Sequence, residues 1–404
     1  MRQPSMTAHR ILLTAAVVGT IGWIGVVAIG WQLASTSSAT LGFDLELLLQ
    51  AGRDLAGGRS PYAPELVSGG APTATELFYS YPPPVAQAMT IVAGLPSVAV
   101  LVAWGALALA GLLVVAELLR RRLSPDRPRP VVLAITAAGA PLTLPFAVGL
   151  IFGNFDVFFP LLYGAMLLAV LDDRRRRQVF GGIAIVVASL KLHPATMGLW
   201  FLVRAIHERS SAAARMVVAT AIVVGLGIVI VSVLFDRIGL WAEYLQVVRA
   251  GTNAVIVDHR NAGIAAIIAG ALGGGDPMAR TLHVGVALTA LAVTIWAAWR
   301  RGDALEGFAW ASAASLCTLP VTWYHYPSAM IPVAIAAWLR ADQRSSGRVR
   351  TAIVAAAVIA AVAIAALQLL WVAIGLVILA ARWSRQVRPS DAAGAPPGPA
   401  RATV

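Results

Sequence analysis

The sequence predicts an all-α polytopic membrane protein, and three observations carry that expectation. Of the 404 residues, 59% are hydrophobic and 12% charged, whereas a soluble domain carries about 25% charged residues. The apolar residues form continuous runs, such as ILLTAAVVGTIGWIGVVAIGW, rather than alternating. Helices, not barrel strands, then satisfy the backbone inside a bilayer. Thirty of the 31 basic residues are arginine, and most stand in short clusters between apolar runs. Such clusters orient spans in a membrane, so the net charge of +12 does not point to nucleic acid.

About 20 apolar residues cross the hydrocarbon core, and with the arginine clusters set in the cytoplasm the elements follow in order. Arg2 and Arg10 precede a span at about 11–33. Its apolar core is longer than the 7–15 residues of a signal peptide and carries Trp23 and Trp31, so it reads as an uncleaved anchor. Residues 34–97 are an outer loop, and a span at 98–118 returns to RRRLSPDRPRP. Spans at 131–150 and 155–171 end at DDRRRR. Two short segments, 178–190 and 194–206, are broken by K-L-H-P. A span at 216–235 opens a second outer loop, 236–278, and spans at 279–299, 304–320 and 327–340 follow. A hairpin at 351–367 and 369–383 completes ten to twelve crossings. The count leaves 24 basic residues in the cytoplasm and seven outside or in the membrane, so both termini are expected inside. The membrane domain is expected over 1–388, with a disordered Pro/Ala/Gly-rich cytoplasmic tail at 389–404. The scarcity of lysine beside abundant Ala and Arg suggests a GC-rich bacterial genome, hence the bacterial plasma membrane. The single cysteine, Cys317, rules out a disulfide framework or thiolate metal site within one chain.

The stretch 41–84 is polar and Gly/Pro-rich between two apolar runs. It places Asp44 just past the first span, where a carboxylate suits chemistry on a lipid-carried substrate. Leu47, Ala51 and Leu55 then recur at helical spacing, giving an amphipathic helix for the interface that ends at Gly57–Gly58. Asp44 also reads as the N-cap of that helix. Ser60-Pro61-Tyr62 makes a turn, and F-Y-x-Y-P-P, with Tyr79 and Tyr81, makes a rigid exit that also reads as an interfacial aromatic belt.

Lys191, the only lysine, stands at the break between two segments too short to cross comfortably. A charge there is costly and a functional candidate by default, and Lys191 with His193 suits a phosphate; the alternative is a snorkelling anchor. Asn154 and Asp156 in G-N-F-D read as sugar-hydroxyl ligands or as a helix cap. His325 lies in W-Y-H-Y, beside Trp323, and Asp258, His259, Arg260 and Asn261 cluster in the second outer loop.

In order, these motifs are an Asp after the first span, A-x-x-x-x-x-G-G-x-S-P-Y, F-Y-x-Y-P-P, G-N, K-x-x-P, an Asn in the second outer loop and W-x-H. The series resembles the polyprenol-phosphomannose-dependent α-1,2-mannosyltransferases of glycosyltransferase family 87. The likeness runs over about residues 10–345. It implies a GT-C-like helical bundle with a structured first extracytoplasmic loop. It also implies inverting transfer of mannose to a phosphatidylinositol mannoside or lipomannan. Asp44 then matches the presumed base, and Lys191 and His325 the family's lysine and first histidine. Arg260 and His193 join them toward the donor phosphate. Tyr62, Tyr81, Asn154, Asp156, Asn261 and Trp323 fall to sugar and acceptor. The family's second histidine is Tyr326 here, and its polar pair after the Gly is Asn154 and Asp156. No dense carboxylate cluster indicates a required metal, so a reaction without metal or cofactor is expected. The partners implied are a polyprenyl-phosphate sugar donor, a glycolipid acceptor and membrane lipids. The rival readings are transfer of another sugar such as arabinose, or a lipid or sugar transporter with broken helices.

Overall fold

The computed structural model describes residues 6–35, 41–70, 78–207, 212–236, 238–254, 256–258, 260–300, 302–341 and 345–384. The expected tail at 389–404 and His259 lie outside these residues. Among the described residues the chain is helical throughout, with one isolated β-bridge. Helix α1 (Met6–Ser35) leads to a connecting segment folded into α2 (Phe43–Ala56), α3 (Pro64–Val67) and α4 (Pro83–Met89). Helix α5 (Ser97–Leu123) is followed by α6 (Arg129–Gly139), α7 (Leu144–Phe152), α8 (Phe159–Leu171), α9 (Arg175–Ala188) and α10 (Ala195–His207). Helix α11 (Ala212–Asp236) leads to a second connecting segment with α12 (Gly239–Ala254) and α13 (Ile264–Ala271). The chain then runs through α14 (Asp276–Trp299), α15 (Ala304–Ser315), α16 (Ile331–Arg340), α17 (Ser346–Val362) and α18 (Leu369–Trp383).

This is an all-α polytopic membrane protein. Four helices among the described residues are long and apolar enough to cross a bilayer: His9–Gln32, Ser97–Leu123, Ala212–Phe235 and Asp276–Trp299. Along α11 the side chains of Ile222, Val223, Leu226, Ile230, Val231 and Leu234 are exposed. Water would not tolerate so continuous an apolar face, whereas lipid is its natural solvent.

The other predicted spans are built from shorter pieces. The span expected at 131–150 is broken: Arg129–Leu142 and Leu144–Phe152 meet at 75°. Pro141 and Pro145 remove backbone donors across the break, and Thr143 between them is extended. Hydropathy, summed over a window, does not register such a break. The span expected at 304–320 ends at Ser315, and the one at 327–340 begins as a 3₁₀ turn, Tyr326–Met330.

The main core gathers side chains of α5, α8, α9, α10, α15, α16, α17 and α18, with Trp200, Tyr163 and Phe159 fully buried. A second core joins α2, α4 and the start of α5 to Tyr244 and Val247 of α12. The buried face of α2 is Leu45, Leu48, Leu49, Ala51, Gly52 and Leu55, which takes in the expected Ala51 and Leu55 but not Leu47. It packs within the protein instead of lying free at an interface. The two connecting segments therefore form one cap, pinned by Ser60 on Glu243 and by Tyr62 against Tyr244 at 6.2 Å, while Gln87 ties α4 to α11 through the Ser232 carbonyl at 3.0 Å.

Candidate active site

The site begins where α7 ends. Gly153 closes α7 with φ +65°, and a Cβ there would fall 2.6 Å from Cβ of Leu45. Only glycine supplies both that dihedral and that close approach. The tight closure directs Asn154 at α2. Its Oδ1 accepts from the Asp156 amide at 2.9 Å and so caps the turn Phe155–Phe158. Its Nδ2 donates to Asp44 Oδ2 at 2.8 Å. The Trp104 indole donates to the Asn154 carbonyl at 3.3 Å. Asn154 is thus both a cap and a clamp on the carboxylate.

Asp44 is not the N-cap of α2. That position is Gly42, left-handed at φ +75°, whose amide donates to the Ile151 carbonyl at 2.9 Å. The carboxylate is released from capping and is half-buried.

Asp156 is the buried counterpart, with 0% of its side chain exposed. Lys191 Nζ stands 3.5 Å and His325 Nε2 2.9 Å from its Oδ2. The Ser328 hydroxyl donates to its carbonyl at 2.9 Å. Lys191 lies between the rings of Tyr81 and Tyr326, 4.9 and 5.3 Å from their centroids, an aromatic cage that favours a cation. Tyr326, the family's second histidine position, thus faces the ammonium. His193 is 1% exposed, stacks on Tyr326 at 4.5 Å and meets the edge of Phe159. It backs the cage rather than standing beside Lys191.

Backbone geometry sets the lysine. Leu192 has φ 65° and is the one non-glycine with positive φ among the described residues. The His193 amide donates across it to the Lys191 carbonyl at 2.9 Å. The three residues make a γ-turn of the rare, strained hand, and this turn breaks α9 from α10.

The remaining predicted residues frame the cluster. The Tyr62 hydroxyl donates to the Tyr81 carbonyl at 2.9 Å. Burial raises its pKa, with Tyr244 and Glu243 adding to the rise, so it stays a neutral donor. Tyr62, Tyr79 and Tyr81 form a ladder with centroids 5.6 and 5.7 Å apart, internal rather than belt-like. Asn261 spends its amide on backbone: Nδ2 donates to Ile256 and Pro320, and Oδ1 accepts from Gly263 and Thr322, all at 2.8–2.9 Å. It ties the second connecting segment to Trp323, its bridge partner. Arg260 forks onto Asp258 and lies 5.7 Å over the Trp323 ring. Arg260 and Tyr324 line a cavity of about 1000 Å³ whose walls are otherwise mostly apolar, from α1, α7, α13 and the α17–α18 hairpin.

Asn154 therefore holds Asp44, Lys191 and His325 converge on Asp156 with Tyr81 against the lysine, and Arg260, Asn261 and Trp323 form a separate wall. Sequence reasoning missed Trp104 and Ser328, which act through backbone carbonyls of the G-N-F-D turn and carry no local signal. Among the described residues no three His, Cys, Asp or Glu side chains converge as a metal-ligand set.

The family model of glycosyltransferase family 87 matches residues 79–322, more than half of the chain. The chain belongs to glycosyltransferase family 87. No curated protein and no solved structure gives a significant match. The family 87 match takes in Tyr81, Asn154, Asp156, Lys191, Arg260 and Asn261 but not Asp44, Trp323 or His325. Geometry joins those to it: Asp44 through Asn154, His325 through Asp156, and Trp323 through Asn261. For a glycosyltransferase the arrangement supplies one accessible carboxylate and, beside it, a buried one with two nitrogen bases.

Proposed function

We propose that this family 87 glycosyltransferase transfers mannose, with inversion, from a polyprenyl-phosphate donor to a glycolipid or lipoglycan such as a phosphatidylinositol mannoside or lipomannan. In this reading the reaction takes place on the extracytoplasmic side of the membrane. The observation that carries the reading is a half-buried Asp44 clamped by Asn154 at 2.8 Å, the same side chain that caps the turn whose Asp156 holds Lys191 at 3.5 Å and His325 at 2.9 Å.

Asp44 is the general base. It takes the proton of the acceptor hydroxyl as that oxygen attacks the anomeric carbon. The bond from the anomeric carbon to the phosphate oxygen breaks, and its electron pair leaves with the phosphate. The donor phosphodiester carries one negative charge and the leaving monoester two. Asp44 is neutralised in the same step, so one negative charge moves from the carboxylate to the phosphate and the site's total stays constant. Lys191 and His325 stabilise the charge where it arrives. A single displacement gives an α product from a β-linked donor with no covalent sugar–enzyme intermediate. The apolar cavity beside Arg260 and Tyr324 suits the lipid part of a substrate.

The test supplies purified protein in nanodiscs with radiolabelled polyprenyl-phosphomannose and, separately, the arabinose analogue, with a phosphatidylinositol mannoside as acceptor. Label entering the acceptor from the mannosyl donor alone is the expected outcome. Transfer from the arabinosyl donor alone would replace the sugar, and movement of lipid without transfer would replace the enzyme with a transporter.

A further inference from the structure

The buried carboxylate of Asp156 has no part in the proton transfer just described. At 0% exposure it cannot reach an acceptor hydroxyl, yet burying an ionised carboxylate is expensive unless it is paired. Its partners are the two groups assigned to the leaving phosphate, Lys191 at 3.5 Å and His325 at 2.9 Å. It meets His325 through Nε2, while Nδ1 is buried with no hydrogen-bond partner among the described residues. The polar groups around that ring come from three elements: Asp156 from the turn after α7, Lys191 from the α9–α10 break, and Tyr324 and Tyr326 from the chain beside it.

We propose that Asp156 is the positioning residue of this transferase. It aims the Lys191 ammonium and fixes the His325 ring with Nε2 toward itself, so that both are already oriented when the second phosphate charge develops. The proposal rests on the reading of Lys191 and His325 as phosphate groups and adds what holds them. Three features make Asp156 fit to hold them. Its backbone is locked on both sides, by the Asn154 side chain on its amide and the Ser328 hydroxyl on its carbonyl. Its side chain sits in packed surroundings. Asn154 also clamps Asp44, so one side chain ties the base on α2 to the turn that carries the counter-ion. Pre-organisation of this kind acts in the transition state, so its loss lowers kcat more than it raises the donor KM.

Lys191 is the only lysine of the chain, which gives a readout independent of turnover. The experiment compares wild type, Asp156→Asn and Asp156→Glu in nanodiscs, with amine-directed labelling of Lys191 timed against the N-terminal amine. Asp156→Asn is expected to lower kcat by about 10²-fold with the donor KM changed only a few-fold, and to speed Lys191 labelling several-fold. Asp156→Glu keeps the charge and moves the carboxylate, so it should fold, label as slowly as wild type and still lose kcat. Asp156→Asn combined with His325→Ala should be no slower than the slower single variant, as for groups acting as one unit. Folded variants with wild-type kcat and unchanged labelling would overturn the proposal. If Asp156→Asn does not fold, Asp156→Glu decides: wild-type kcat in that variant reduces Asp156 to a charge balancing the fold. Altered labelling together with an Asp44→Asn protein that still transfers would sink the reading of the base while leaving the Asp156 pairing intact.

Discussion

Carboxylates at two places in the bundle are served differently. Where α5 and α16 end, Glu117 receives Arg120 at 2.8 and 3.2 Å and Arg121 at 2.6 Å. Nearby, Asp303 caps α15 through the amides of Leu305 and Glu306 and takes the fork of Arg340. Each is saturated with well-aligned donors. At the G-N-F-D turn Asp156 has an ammonium and an imidazole close by, but neither of its oxygens makes a hydrogen bond of good geometry among the described residues. Guanidinium forks fix one arrangement. The Lys191 ammonium carries three donors and keeps capacity for a second anion while Asp156 holds its position. The first arrangement serves stability, and the second leaves capacity for a reaction.

The contrast breaks most sharply at Asp44. Asp44→Asn keeps shape and can still accept from Asn154, so folding and abundance should hold while turnover falls by about 10²–10⁴-fold. Radiolabel transfer per folded molecule measures it, and near wild-type transfer would return Asp44 to a structural role. Next in size, Lys191→Ala should lower donor use by about 10²-fold, with Lys191→Arg rescuing only in part because the guanidinium does not fit the Tyr81–Tyr326 cage in the same way. His325→Ala should add little to the Lys191→Ala loss if both groups serve one phosphate. Loss of abundance without loss of specific activity would make Lys191 an anchor.

The saturated end gives the smallest and opposite effect. Asp303→Asn should cost about 1–3 kcal/mol of stability and leave kcat unchanged, read by thermal unfolding in detergent alongside the transfer assay. Burial alone would raise the Asp303 pKa, but the hydrogen bonds and charge of Arg340, with the two backbone amides, hold it below the ordinary carboxylate value. A depressed folded pKa contributes stability above the unfolded pKa of about 3.9. That share is lost as pH falls below that value toward the folded pKa, and Asp303→Asn should flatten the acid side of the stability profile. A change in kcat with no change in melting would contradict the division between the two places.

The sequence carried the class of fold because hydropathy and arginine placement are properties of composition and order. It also carried most of the site's membership, since Asp44, Lys191 and His325 sit in recognisable motifs. What it did not carry was their pairing. Asp156 read as a sugar ligand or a cap, because nothing local says that a lysine and a histidine from later segments close on it. His193 and Asn261 read as ligands because polar residues near a motif look available, and only burial and hydrogen-bond accounting assign them to packing and to backbone. The break inside 131–150 was present in Pro141 and Pro145, but an apolar window outweighed it.

The γ-turn at Leu192 has a consequence for how the enzyme senses its surroundings. Such a turn is strained by roughly 1–3 kcal/mol and persists only when its flanks over-determine it. Its flanks are α9, packed on α8 and α11, and α10, packed on α14, α11 and α15. Six residues, 189–194, with the γ-turn among them, join the two helices, so a sliding or tilting of one against the other bears on the backbone that carries Lys191. Bilayer thickness and lateral pressure act on just such helix pairs. If Lys191 holds the leaving phosphate as proposed, turnover should follow lipid chain length even where every substrate is saturating.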